Sequence, residues 1–231
     1  MSTVTIRPLP GQRRVSYSAA WFVPVDTVTG TPPILPLAIL LDIRDGQEWA
    51  PTEIKPTVML SGGIGYLDLG RCRDPGTTAP KRYRARFEPG AYLAIVRAYR
   101  EGEEFLALPF SDTTPPALVV PPLRVNLAPA VSYPFTSEVP VVYGQVSTAA
   151  GEPVPDVLLS VTVRLPVPGP LRTTRTLTGP YGTFALPLRW ATAGQQVTIT
   201  AADYRHIPSR TGQLSVQLPD ALGRNQTIVI G

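Results

Sequence analysis

The sequence predicts an all-β fold of two tandem antiparallel β-sandwich domains joined by a Pro-rich linker, and three observations carry that expectation. Of the 231 residues, 28 are Pro and 19 are Gly, residues that disfavour helix interiors and punctuate strands. The chain is nevertheless 43% apolar, too hydrophobic for a disordered Pro-rich tail, and its glycines follow no three-residue period. Finally, the apolar residues fall in short period-two runs bounded by turn chemistry, the pattern of half-buried strands rather than of helices.

In the first half, strands are predicted over residues 15–25, 34–43, 57–60, 64–69, 82–87, 92–99 and 105–110. Thr29-Gly30, Asp45-Gly46, Asp74-Pro75-Gly76, Pro89-Gly90 and Glu101-Gly102 separate them, and these are residues that supply tight turns. Residues 93–100 and 105–108 read as a hairpin turning at Glu101-Gly102-Glu103. Residues 1–112 therefore form the first expected sandwich.

Residues 113–140 break the rhythm with Pro115, Pro116, Pro121, Pro122, Pro129, Pro134 and Pro140. Such a stretch favours an extended, semi-rigid conformation. Leu118-Val119-Val120 and Leu123-Arg124-Val125 are apolar enough to lie on a domain as edge strands, where a missing N–H is tolerated. A docked linker is expected.

Residues 141–231 form the second expected domain. Strands are predicted at residues 141–146, 157–163, 173–178, 183–187, 197–202, 214–218 and 227–230. In the fifth of these, Val197, Ile199 and Ala201 share one face and Thr198 and Thr200 the other, so one face packs and the other is solvated.

This half resembles the carboxypeptidase regulatory-like domain, a transthyretin-like seven-stranded sandwich. The resemblance rests on Gly144-Gln145-Val146, the turn Gly151-Glu152-Pro153-Val154, the strand Val161-Thr162-Val163, the run from Gly182 to Pro187 containing Phe184 and Leu186, and a strand ending at Tyr204. The family's usual Thr-Asp before the tight turn is here Thr178-Gly179, and its Gly-Tyr is Asp203-Tyr204. The resemblance implies a non-catalytic accessory module serving folding, spacing or docking. The first half carries a fainter echo in Gly30-Thr31-Pro32, Gly65-Tyr66-Leu67 and Gly90-Ala91-Tyr92, which suggests either a degenerate second copy or a β-rich domain of unrelated topology.

Charge narrows the function classes. The net charge is +4, from 21 cations and 17 acids, a field too weak for a dedicated nucleic-acid binder. Nineteen of the cations are Arg, a bias that reflects either codon usage or a need for fixed bidentate contacts. The start of the chain lacks the basic and apolar segments of a signal peptide, so a cytoplasmic protein, or one in a particle assembled in the cytoplasm, is expected. The longest apolar run, residues 34–41, contains Pro36 and falls short of the ~20 residues a membrane span needs.

No catalytic, cofactor or metal constellation is expected. His206 is the sole histidine; Asp203 and Ser209 supply the types of a triad, but neighbours on one loop rarely align as one. Cys72 lies between Arg71 and Arg73, guanidinium groups of a kind that activate thiols, yet no histidine base is near in sequence. One Cys and one His fall short of a zinc site, and no calcium loop occurs. The segment Ser61-Gly62-Gly63-Ile64-Gly65 lacks the Lys-Ser/Thr of a phosphate loop and reads as a strand bend.

Two interaction signals remain. Arg82, Arg84 and Arg86 alternate with Tyr83, Ala85 and Phe87, so on a strand the arginines line one face. They either clamp an acidic surface or form a solvated face that blocks edge pairing. Trp21 and Trp190 are either core residues or interface anchors. The expected function is a structural or adaptor protein of a larger assembly, such as a phage-tail-like or contractile injection particle, with other protein subunits or copies of itself as partners. The alternative is a surface-associated carbohydrate- or peptide-binding module.

Overall fold

In the computed structural model, residues 16–59, 61–88, 90–95, 102–116, 121–165 and 169–231 are described. Within them the chain is all-β. The first sandwich contains β1 (Ser18–Asp26), β2 (Ile39–Asp45), β3 (Glu48–Pro51), β4 (Thr57–Val58), β5 (Ile64–Leu67), β6 (Lys81–Phe87), β7 (Tyr92–Ile95), β8 (Glu103–Ala107) and β9 (Leu123–Pro129). The second contains β10 (Val141–Thr148), β11 (Leu158–Arg164), β12 (Leu171–Leu177), β13 (Thr183–Pro187), β14 (Gln196–Asp203), β15 (Arg210–Gln217) and β16 (Asn225–Ile230).

The two halves share one plan. The first has sheets ordered β4-β5-β1-β9-β7 and β3-β2-β6-β8; the second has β13-β10-β16 and β12-β11-β14-β15. Setting aside the short flanking strands β4 and β7, the orders coincide strand for strand. Each sandwich closes by returning its last strand beside its first, β9 on β1 and β16 on β10, and both pairs are parallel. All the other pairs of described strands are antiparallel, as expected. A closing strand that crosses from the opposite sheet can run in the same direction as the first.

The alternation seen in the sequence becomes two cores. The first is aromatic: the Phe22 ring meets Tyr66, Phe87 and Phe105 edge-on at 5.7–6.4 Å, and Phe105 stacks on Tyr66 and Tyr83. The second is aliphatic, built from Val142, Val146, Leu159, Val161, Leu186, Ile199, Ile228 and Ile230 around Phe184. Aromatic side chains bury more area per residue, which suits the shorter strands of the first sandwich.

Three local expectations are revised. β9 is no edge strand: it lies between β1 and β7, with Val125 and Leu127 buried in the core. Its prolines explain this placement, since Pro121 and Pro122 precede the strand and Pro129 ends it, so no ladder donor is lost from its middle. The expected hairpin of residues 93–108 does not form, because β7 pairs with β9 in one sheet while β8 pairs with β6 in the other; its expected turn at 101 lies outside the described residues, as do residues 118–120. Ser61-Gly62-Gly63 is the turn of the β4–β5 hairpin, with Gly62 at φ 80°.

A buried carboxylate fastens the connector to the first sandwich. Asp26, 1% exposed, accepts hydrogen bonds from the Val28 amide at 2.7 Å, the Tyr133 hydroxyl at 2.8 Å and the Tyr92 hydroxyl at 3.3 Å. Tyr133 follows β9, so the chain leaving the first sandwich is held down before it enters the second. Across the boundary, Leu93, Ala128 and Ala130 pack on Leu177, and the buried Thr176 hydroxyl donates to the Pro129 carbonyl at 3.0 Å. The outer face of the β7–β9 edge thus docks on the C-terminal end of β12, at Thr176 and Leu177, and leaves Leu171, Thr173 and Arg175 exposed.

Candidate functional site

The period-two reading of β6 holds: Tyr83 and Ala85 are buried in the core, which puts Arg82, Arg84 and Arg86 on the opposite, outward face. Two of the three are engaged by a residue the sequence reading passed over. Asp42 sits across from Arg84 on β2, and its side chain is 3% exposed. Arg84 donates to Asp42 Oδ2 through Nε and Nη2 at 3.1 and 2.8 Å; Arg86 donates through Nε to Oδ2 at 2.6 Å and through Nη2 to Oδ1 at 2.9 Å. Burial pushes the Asp42 carboxyl pKa up, but the hydrogen bonds and charges of Arg86 and Arg84 outweigh it and hold the group below its ordinary value. Trp49 completes the cluster, with the Arg84 and Arg44 guanidinium groups 4.8 and 5.3 Å from its ring. Arg82 is exposed and, with Glu104 and Leu106, lines a shallow hollow beside the edge strand β8.

The two tryptophans occupy different settings. Trp21 lies half-buried on the outward face of the first sandwich, over Gly65; a Cβ at Gly65 would come within 2.6 Å of its ring. Trp190 is 37% exposed and carries the guanidinium groups of Arg189 and Arg172 at 5.4 and 5.7 Å from its ring. It forms one wall of a cleft of about 340 Å³ where the two sandwiches meet. Thr27 and Asn126 of the first sandwich face Thr173, Arg175, Arg189 and Trp190 of the second, and among the described residues no carboxylate lines the cleft. Arg175 and Arg189 escaped the sequence reading because they are isolated single charges 14 positions apart; the fold of the second sandwich brings both to the cleft, and docking of the first sandwich supplies its opposite wall.

The catalytic candidates are held in structural contacts. Asp203 is fully buried and accepts two hydrogen bonds from the Arg205 side chain, at 2.8 and 2.9 Å, and one from the Arg205 amide. These bonds pull its pKa down against the opposing effect of burial. His206 Nε2 lies 3.5 Å from Asp203 Oδ2, on an exposed loop that also presents Tyr204 and Ile207 to solvent. The Cys72 thiol donates to the Phe110 carbonyl at 3.7 Å. Its neighbour Arg71 is bound to Asp112 at 2.5 Å and Asp68 at 3.1 Å. Among the described residues no group of His, Cys, Asp and Glu is placed to hold a metal ion, and no helix is long and apolar enough to cross a membrane.

No protein-family model and no curated protein matches the chain. Among solved structures, a streptococcal ancillary pilin aligns over 94% of this chain and 62% of its own, with 9% sequence identity and a TM-score of 0.28. The chain thus spans less than two thirds of that structure.

Proposed function

We propose that this chain is a non-enzymatic structural or adaptor component of a larger protein assembly, acting as a stiff spacer that presents sheet edges and a basic cleft to neighbouring subunits. The observation that carries this reading is the joint between the sandwiches. An apolar cluster around Leu177, the buried Thr176–Pro129 hydrogen bond and a connector pinned through Tyr133 to Asp26 hold the two domains in a fixed relation. An adaptor needs that rigidity to transmit position from one partner to the next.

The second sandwich we read as a carboxypeptidase regulatory-like module. Its seven strands in two sheets and the tight approach of Gly182 to Val146 and Val154 support this, as does the matching strand order of the first sandwich for a degenerate second copy. A phage-tail-like or contractile injection particle assembled in the cytoplasm is one setting that such a spacer suits. The carbohydrate-binding alternative is less well supported, because both Arg172 and Arg189 lie against the Trp190 ring, which leaves less of it open for a sugar to stack on.

Replacing all three β6 arginines with Glu would set new carboxylates against Asp42 and disrupt the fold, so Arg82 is the position to test. In the native source, Arg82→Glu should leave the protein folded and reduce its recovery in complex with partner proteins. Recovery unchanged from wild type would remove the β6 face from the interface, and a chain that binds a glycan array without protein partners would overturn the adaptor reading.

A further inference from the structure

We infer that the open edge of β12, inside the cleft between the sandwiches, is a docking site for an extended acidic segment of a partner protein, which adds to the sheet as a further strand. This rests on the adaptor reading above and names the kind of partner that one surface takes.

The backbone register supplies the first argument. Among the described strands, β12 is terminal in its sheet and pairs with β11 alone. The Thr178 amide donates to the Val157 carbonyl and the Leu165 amide to the Pro170 carbonyl, which fixes the parity of the ladder. In an antiparallel pair, residues whose amide and carbonyl point to the partner alternate with residues whose groups point away. Residues 172, 174 and 176 therefore face β11, while the N–H and C=O groups of Leu171, Thr173 and Arg175 face the open edge. Unpaired groups in this array are a template for strand addition.

Charge supplies the second argument. Arg175 lies on the outer face of the sheet, and Arg172 and Arg189 converge on Trp190 on the other side, so an added strand would meet guanidinium groups on both of its faces. Among the described residues, the cleft lining has no carboxylate to neutralise them. A second copy of β12 would bring Arg172 and Arg175 against their own kind, which disfavours edge-to-edge pairing between copies. The first 15 residues of the chain contain Arg7, Arg13 and Arg14 and no acid, so they are equally ill-matched. The occupant that fits is a heterologous segment carrying Glu or Asp, and the volume of about 340 Å³ suits a few residues of extended chain.

The test uses the full-length protein and a fluorescein-labelled peptide of repeating Glu-Glu-Thr-Thr, about eight residues long, within the usual span of a strand, so that Glu side chains stand on both faces of the added strand. Its fluorescence anisotropy should show saturable binding that weakens with added salt. The Arg175→Glu/Arg189→Glu variant, with an unchanged thermal melt, should bind at least about tenfold more weakly. A peptide with Lys in place of Glu should not bind. An equally charged peptide with alternate amides N-methylated should lose binding at least about tenfold as well, because it cannot complete the ladder. Equal binding of the Glu and Lys peptides, retention by the N-methylated peptide, or no binding at all would overturn the proposal. A protein that fails every peptide test yet is recovered in a particle loses only this edge, whereas a protein recovered alone that binds the peptide loses only the adaptor reading.

Discussion

Thr176 in the second sandwich donates its hydroxyl proton to the carbonyl oxygen of Pro129, the last residue of the first sandwich's closing strand, at 3.0 Å with both residues buried. Proline has no amide proton but keeps its carbonyl, so the residue that ends β9 still offers an acceptor to the neighbouring domain. Thr176→Val should leave that carbonyl buried without its partner and cost about 1–3 kcal/mol. Denaturant unfolding measures the loss. Small-angle scattering should report a broader distribution of domain separations if the bond helps fix the joint.

Asp42 gathers two guanidinium groups, and its removal strands both. For Asp42→Ala we expect a loss of about 2–3 kcal/mol, below the ~3–5 kcal/mol of a fully buried pair, because the Arg86 side chain is 33% exposed and water screens part of the effect.

The same carboxylate sets an acid limit. Its folded pKa is depressed, as is that of Asp203. The stability they contribute is therefore complete above the unfolded carboxyl value of about 3.9 and is lost as pH falls through the lower folded values. Unfolding titrations from pH 6 down to 2 should show the wild type losing stability below about pH 4. Asp42→Asn should start less stable and fall less steeply, with Asp203 keeping part of the slope.

Tyr66 is the converse case. Its hydroxyl is buried and makes no hydrogen bond, and burial first, then the Asp42 charge, pushes its pKa up to about 12. A buried unpaired hydroxyl is a cost, so Tyr66→Phe should be neutral or should stabilise by about 1 kcal/mol. A raised phenol pKa means stability that is complete below the unfolded value of about 10 and is lost as pH rises toward 12. Tyr66→Phe should therefore soften alkaline unfolding, while Tyr92 and Tyr133, also raised by burial and by Asp26, keep part of it.

Gly182 turns the chain into β13 at φ 69°, and a Cβ there would come within 2.6 Å of the Val146 carbonyl oxygen and 2.9 Å of the Val154 amide nitrogen. Backbone on both sides cannot give way cheaply. Gly182→Ala should destabilise the second sandwich by more than the ~1 kcal/mol of a strained φ alone, seen as a lower melting temperature, whereas the same change at the open turn of Gly151 should cost less.

What could be read from the sequence follows from the range of the interactions. The β14 strand is written in Val197, Ile199 and Ala201 because side-chain alternation is local, and the shared face of Arg82, Arg84 and Arg86 follows from the same period. The Asp42 clamp is not local: its counter-charges lie 42 and 44 positions away. The only trace it leaves is a lone acid in the apolar run Leu40-Leu41-Asp42-Ile43. The failed hairpin has the same origin. Turn residues between β7 and β8 mark a reversal of the chain but do not say whether the returning strand pairs with its neighbour or crosses to the opposite sheet. The inner place of β9 is hidden in the sequence by the high proline count of the segment, because the prolines flank the inward-facing Val125 and Leu127 and do not interrupt them. The basic cleft exists only once two domains have docked, so no single stretch of sequence contains it.

The size of the body in which the native protein travels tests the central claim most directly. Sedimentation of a gently prepared extract from the native source, with the chain detected by antibody, should place it in a fast-sedimenting assembly together with other proteins. Migration as a free species near its own 24.9 kDa, under conditions that keep comparable assemblies intact, would contradict the account.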